Sequence, residues 1–96
     1  MTVNLSSLAV GSLTLDPEFD PDVVEYTATT TNATNKITAE AEWSDSTISI
    51  ESEDATIATD GTATWETGDN VVEITVTAVE GYETETKTYT VTVTKS

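Results

Sequence analysis

The stretch VEITVTAVEGYETETKTYTVTVT, Val72 to Thr94, decides the fold. At its start Val72, Ile74, Val76 and Ala78 alternate with Glu73, Thr75 and Thr77, and at its end Tyr89, Val91 and Val93 alternate with Thr88, Thr90, Thr92 and Thr94. A period of two puts one set of side chains on each face of an extended chain, which describes strands with one buried and one wet face. Threonine, valine and isoleucine suit that surface because branching at Cβ stiffens χ1. Glu80-Gly81 sits between the two runs as a turn signal.

Working outward, ITAEAEW repeats the pattern, with Ile37, Ala39, Ala41 and Trp43 on one face and Thr38, Glu40 and Glu42 on the other. Turn signals at Gly11-Ser12, Asp16-Pro17, Asp20-Pro21, Thr31-Asn32, Ser44-Asp45, Asp60-Gly61 and Gly68-Asp69-Asn70 divide the rest into short strands. The strands are expected near 5–10 with a second piece at 13–15, then 23–30, 36–43, 47–52, 62–66, 70–79 and 87–95. No segment carries a helical period. The expected fold is all-β, an antiparallel β-sandwich of seven strands, forming a single domain over residues 1–96.

Composition excludes several functions. The 96 residues contain no histidine and no cysteine, so Ser-His-Asp and Cys-His catalysis are ruled out and zinc or copper sites lose their usual ligands. No glycine-rich phosphate loop is present, and no arginine exists to clamp an anion. A carboxylate pair alone needs a cleft to hold a sugar between the two acids, which a small sandwich rarely offers. The chain is therefore read as no enzyme and as needing no cofactor. Eighteen acids against three basic residues give a net charge of −15, which repels nucleic acid and anionic lipid and attracts cations or basic surfaces. No stretch is long enough and apolar enough for membrane insertion, and the first residues, MTVNLSSLAVGS, lack the marks of a signal peptide. The sequons Asn4-Leu5-Ser6 and Asn32-Ala33-Thr34 matter only in a eukaryotic secretory route, which nothing else supports.

One stretch raises a competing chemistry. LDPEFDPDVVEY, Leu15 to Tyr26, carries Asp16, Glu18, Asp20, Asp22 and Glu25 around two prolines. Alternate acids suggest a calcium cage, whereas Leu15, Phe19, Val23 and Tyr26 suggest core. Calcium takes six to eight oxygens and no EF-hand spacing exists here, so the reading is a structural corner, with no metal residue assigned.

Taken together, LSSLAV at Leu5 to Val10, the pattern L-x-P-x-F-x-P-x-V-x-x-Y at Leu15, Pro17, Phe19, Pro21, Val23 and Tyr26, GDN at Gly68 to Asn70, ITVTA at Ile74 to Ala78, Gly81 and the closing TYTVTVT resemble the bacterial cadherin-like β-sandwich domains, relatives of bacterial immunoglobulin-like modules. Leu13 stands where such domains often carry a second glycine. The resemblance implies a seven-stranded antiparallel immunoglobulin-like (cadherin-like) β-sandwich with Greek-key connections and a spacer, adhesion or decoration role on a bacterial cell surface or a phage virion, hence an extracellular location, with a protein partner or a surface glycan. Calcium is not expected, because LDPE at Leu15 to Glu18 has Pro17 where the calcium motif of true cadherins has arginine. The resemblance contributes no catalytic residue. A carbohydrate-binding module, with or without calcium assistance, is the alternative, although Trp43, Tyr26 and Tyr89 have core parity, Trp65 falls at a core position, and only Tyr82 is expected at an exposed hairpin tip.

For contact with a partner, the sequence singles out the outward side of the last strand, Thr88, Thr90, Thr92 and Thr94. Residues 86–96 contain no acid and hold Lys87 and Lys95, a local gap in the negative charge. If that strand lies at a sheet edge, it can also accept another strand.

Overall fold

The computed structural model describes residues 3–96 and, among them, eight strands and no helix. These are β1 Leu5–Val10, β2 Glu25–Thr30, β3 Thr34–Ala41, β4 Ser46–Ser52, β5 Thr56–Ile57, β6 Thr62–Thr64, β7 Gly68–Glu80 and β8 Glu83–Lys95. They form two four-stranded sheets, ordered β1-β3-β6-β5 and β2-β8-β7-β4. The alternation explains the layers. Val72, Ile74, Val76 and Ala78 of β7 and Tyr89, Val91 and Val93 of β8 are fully buried, and all of them but Ala78 share one core with Leu5, Leu8, Val10, Ile37 and Ala63 of the first sheet and with Trp65 just past β6. Each of these larger side chains contributes roughly 1.5–3 kcal/mol by leaving water.

Three expectations are corrected. The fold is not purely antiparallel: β2 runs parallel to β8, with Tyr26 opposite Val91 and Ala28 opposite Val93. Parallel neighbours need a long crossover, and here residues 31–82, passing through both sheets, supply it. Residues 13–15 form no strand; only an isolated bridge, Asp16 to Thr27, marks the place where the chain turns towards the second sheet. Among the described residues the strands number eight rather than seven, because Thr56–Ile57 pairs briefly with β6.

The last hairpin is also longer than its hydrophobic pattern. Glu80 pairs with Glu83 across Gly81-Tyr82, so β8 begins four residues before the expected 87. Those extra residues are exposed on both faces, which leaves no alternation to read. Because β8 lies between β2 and β7, the last strand is not an edge over Thr90 to Lys95. The edges belong to β1 and β5 in one sheet and to β2 and β4 in the other.

Candidate functional site

The acidic corner is tied together by two tyrosine hydroxyls. Period two sends Tyr26 inward from β2 and Tyr89 inward from β8, beneath the loop that Pro17 and Pro21 steer between the sheets. The Tyr26 hydroxyl donates to the Asp20 carbonyl at 2.6 Å and accepts from the Asp20 amide at 2.9 Å. The Tyr89 hydroxyl donates to the Pro21 carbonyl at 2.6 Å and accepts the Leu5 amide at 3.2 Å, so one atom joins the second sheet, the corner and β1. Phe19 lies between the rings, its centroid 6.0 Å from that of Tyr26 and 6.3 Å from that of Tyr89. Burial raises the pKa of the Tyr26 phenol, chiefly because an anion there would lose its water.

The acids point elsewhere. Asp16, Glu18, Asp20, Asp22 and Glu25 are all exposed. The Asp20 carboxylate accepts the Asp22 amide at 2.9 Å and its carbonyl accepts the Val23 amide at 2.9 Å, a local turn that uses the acid for backbone geometry. Among the described residues, no three acids converge as a metal-holding group.

Lys87 belongs to this corner rather than to the threonine strip. Its parity is that of Tyr89, and its Nζ donates to Asn4 Oδ1 at 2.7 Å and to the Pro21 carbonyl at 2.9 Å while lying 5.3 Å from the centre of the Tyr89 ring. Lys95 shares that parity, and its Nζ reaches the Ser96 carbonyl at 3.5 Å. Neither lysine stands on the side of the strand that carries the threonines. The sequence held this signal, since 87 and 95 are odd positions in a strand whose outward residues are even.

The threonines themselves line the outward side of β8, Thr88 and Thr94 exposed, Thr90 and Thr92 half-buried. Across the sheet Thr92 is flanked by Thr27 and Val71, and Thr88 by Thr75, whose hydroxyls lie 3.3 Å apart. The gap in negative charge is narrower than the sequence implies. Thr90 stands between Glu25 and Glu73, and the Thr94 hydroxyl donates to Asp69 at 2.7 Å. A gap along one strand is thus partly filled by its neighbours.

Of the remaining aromatics, Tyr82 is fully exposed at the hairpin tip, Trp65 is buried with Nε1 on Asn35 Oδ1 at 2.9 Å, and Trp43 is half-buried with Nε1 on the Val79 carbonyl at 3.0 Å. Asn70 is completely buried and satisfied: its amide donates to the carbonyls of Glu66, Gly68 and Val93, and its Oδ1 accepts the Glu66 amide. At the β5–β6 turn, exposed Asp60 is held below its ordinary pKa of 3.8 by hydrogen bonds from the Thr62 amide and hydroxyl and, more weakly, by Lys36.

Compared with known proteins, residues 5–96 match the family model of the cadherin-like beta sandwich domain. No curated protein and no solved structure matches the chain.

Proposed function

Because the chain belongs to the cadherin-like β-sandwich family, we propose that it is a non-catalytic interaction module of the immunoglobulin-like Greek-key kind, displayed outside a bacterial cell or on a virion as an adhesion, decoration or spacer unit. The observation that supports this reading is the division of labour among its polar groups. The buried hydroxyls and amides, Tyr26, Tyr89 and Asn70, are spent on holding the backbone, which leaves the surface to contact others. On that surface the outward side of β8, Thr88, Thr90, Thr92 and Thr94, offers hydroxyls and methyls with little desolvation cost, and we assign partner contact to it.

The partner is a protein rather than a glycan on this reading, since Tyr82 is the one fully exposed aromatic among the described residues and a lone ring makes a poor stacking platform for sugar. The test has two arms. A glycan array, run with and without calcium, is expected to stay blank; retention of a defined sugar would move the domain to the carbohydrate-binding class. The double variant Thr90→Lys, Thr92→Glu leaves the core untouched and is expected to lose binding to the native cell envelope or virion. A folded double variant that binds as the parent does would remove the contact face.

A further inference from the structure

Of the strand edges among the described residues, β4 alone joins an open backbone to a groove that exposes isoleucine side chains. The Val79 amide donates to the Asp45 carbonyl at 2.9 Å, which makes Asp45–Val79 a hydrogen-bonded pair of the β4–β7 ladder. Such pairs alternate in an antiparallel ladder, so Thr47, Ser49 and Glu51 bond to β7, while the amides and carbonyls of Ile48 and Ile50 face the other way. One step beyond the ladder, Val71 agrees with this phase. Its amide donates to Asp54 Oδ2 at 3.0 Å and its carbonyl accepts the Ser52 hydroxyl at 2.7 Å, both on the β4 side. Among the described residues no strand pairs with the outer side of β4.

The other edges are blunted. The chain covers β2 through the Asp16–Thr27 bridge, β1 carries a register shift between Leu5 and Ser7, and β5 is two residues long. Bulges, cover and short length are the usual protections of an edge. Along β4 the inward side chains Ser46, Ile48, Ile50 and Ser52 carry no charge and no proline interrupts them. Beside them runs a groove of about 320 Å³ lined by Ile48, Ile50, Ile57 and Ala58, with Thr59 and Gly61 at its polar side. It meets, at Ile57, a hollow of about 680 Å³ whose walls include Glu51, Glu53, Asp54 and Glu73.

We propose that the β4 edge is a docking site for an extended basic segment of a partner protein, which adds antiparallel to β4 as a fifth strand of that sheet. Strand addition takes affinity from main-chain bonds and specificity from alternate side chains. Residues opposite Ile48 and Ile50 form the hydrogen-bonded pairs and also turn inward, so apolar side chains there fill the groove while their own amides bond. The residues between them turn outward, beside Glu51 and, across the ladder, Glu73. Lysine or arginine at those positions meets acid. A second copy of this chain is disfavoured as occupant, since it would bring the same acids and a net charge of −15 against this edge.

The probe is a synthetic peptide alternating valine with lysine, titrated into the full chain at low salt and followed by amide nuclear magnetic resonance and hydrogen exchange. The Ile48 and Ile50 amides are expected to shift and to exchange at least about tenfold more slowly at saturation. Binding should weaken with salt, vanish when lysine is replaced by glutamate, and vanish when the valine amides are methylated. The variant Ile48→Pro removes an amide that β7 does not use and is expected to lose the peptide. If that variant fails to fold, the methylated peptide answers the same question. Binding that survives methylation is charge attraction alone and overturns the proposal, as does no binding or shifts confined to other faces. Protection of Ile48 and Ile50 by self-association without peptide assigns the edge to a second copy and also overturns it.

Discussion

Tyr89 carries more of the fold than its size suggests, because its hydroxyl is shared between the Pro21 carbonyl and the Leu5 amide. In Tyr89→Phe the Pro21 carbonyl keeps Lys87, but the buried Leu5 amide loses its partner. The expected cost is about 1–3 kcal/mol, read by urea denaturation; an unchanged midpoint would show that water replaces the hydroxyl. Tyr26 supplies a pH-dependent counterpart. Its folded pKa is raised above the ordinary 10.0, so its contribution is fully present below that value and is lost as pH rises through the folded pKa. Stability should therefore fall above about pH 10, and Tyr26→Phe should flatten that fall in denaturation curves taken across the range. A fall of equal steepness in both proteins would place its origin elsewhere. Asp60, with its pKa lowered, acts in the opposite direction: its contribution is present above pH 3.8 and disappears as pH drops through the folded value. At this scale the sequence was legible where parity and core type agree, as for Leu15, Tyr26 and Tyr89. It was less so for Lys87, whose charge suggested a surface role although its parity matches Tyr89 and its stem and ammonium serve the corner.

At the scale of elements, turns and pairing decide what propensity leaves open. Gly61 closes the β5–β6 hairpin at φ 93°, where a Cβ would lie 2.7 Å from the Ile37 carbonyl oxygen, whereas Gly81 in the β7–β8 turn, at φ 61°, has open space around it. Gly61→Ala must therefore displace backbone that accepts no shift cheaply, and should cost at least about 1–3 kcal/mol. Gly81→Ala meets only the left-handed backbone penalty of about 1–2 kcal/mol. Thermal melts of the two variants check the order, and a greater loss in Gly81→Ala would contradict the contact geometry. The strands easiest to read were those with one buried face, β7 and the second half of β8. The tip of β8 was missed because pairing to β7, not burial, defines it. The parallel β2–β8 neighbours escaped because local pattern reports which face is buried and not which strand lies alongside. The open side of β4 is likewise a property of sheet order, which no local pattern reports.

The whole molecule is a slab of 45 × 26 × 18 Å with a charge of −15. The Debye length is about 30 Å at 0.01 M salt and about 10 Å at 0.1 M, so the slab is thinner than the screening distance in the first case and thicker in the second. Acids on opposite faces therefore repel through the domain only at low salt, and the melting temperature should climb as sodium chloride is raised across that range. A flat response would mean that the acids are already spaced widely enough. At the acidic corner the backbone is held by Tyr26, Tyr89 and Lys87, and the carboxylates are solvated rather than gathered around an ion. The most direct test is a near-ultraviolet circular dichroism melt, reporting Trp43, Trp65 and the corner tyrosines, taken in chelator and in calcium at matched ionic strength. The two transitions are expected to coincide. A fold that melts away in chelator, or one that micromolar calcium stabilises, would contradict it.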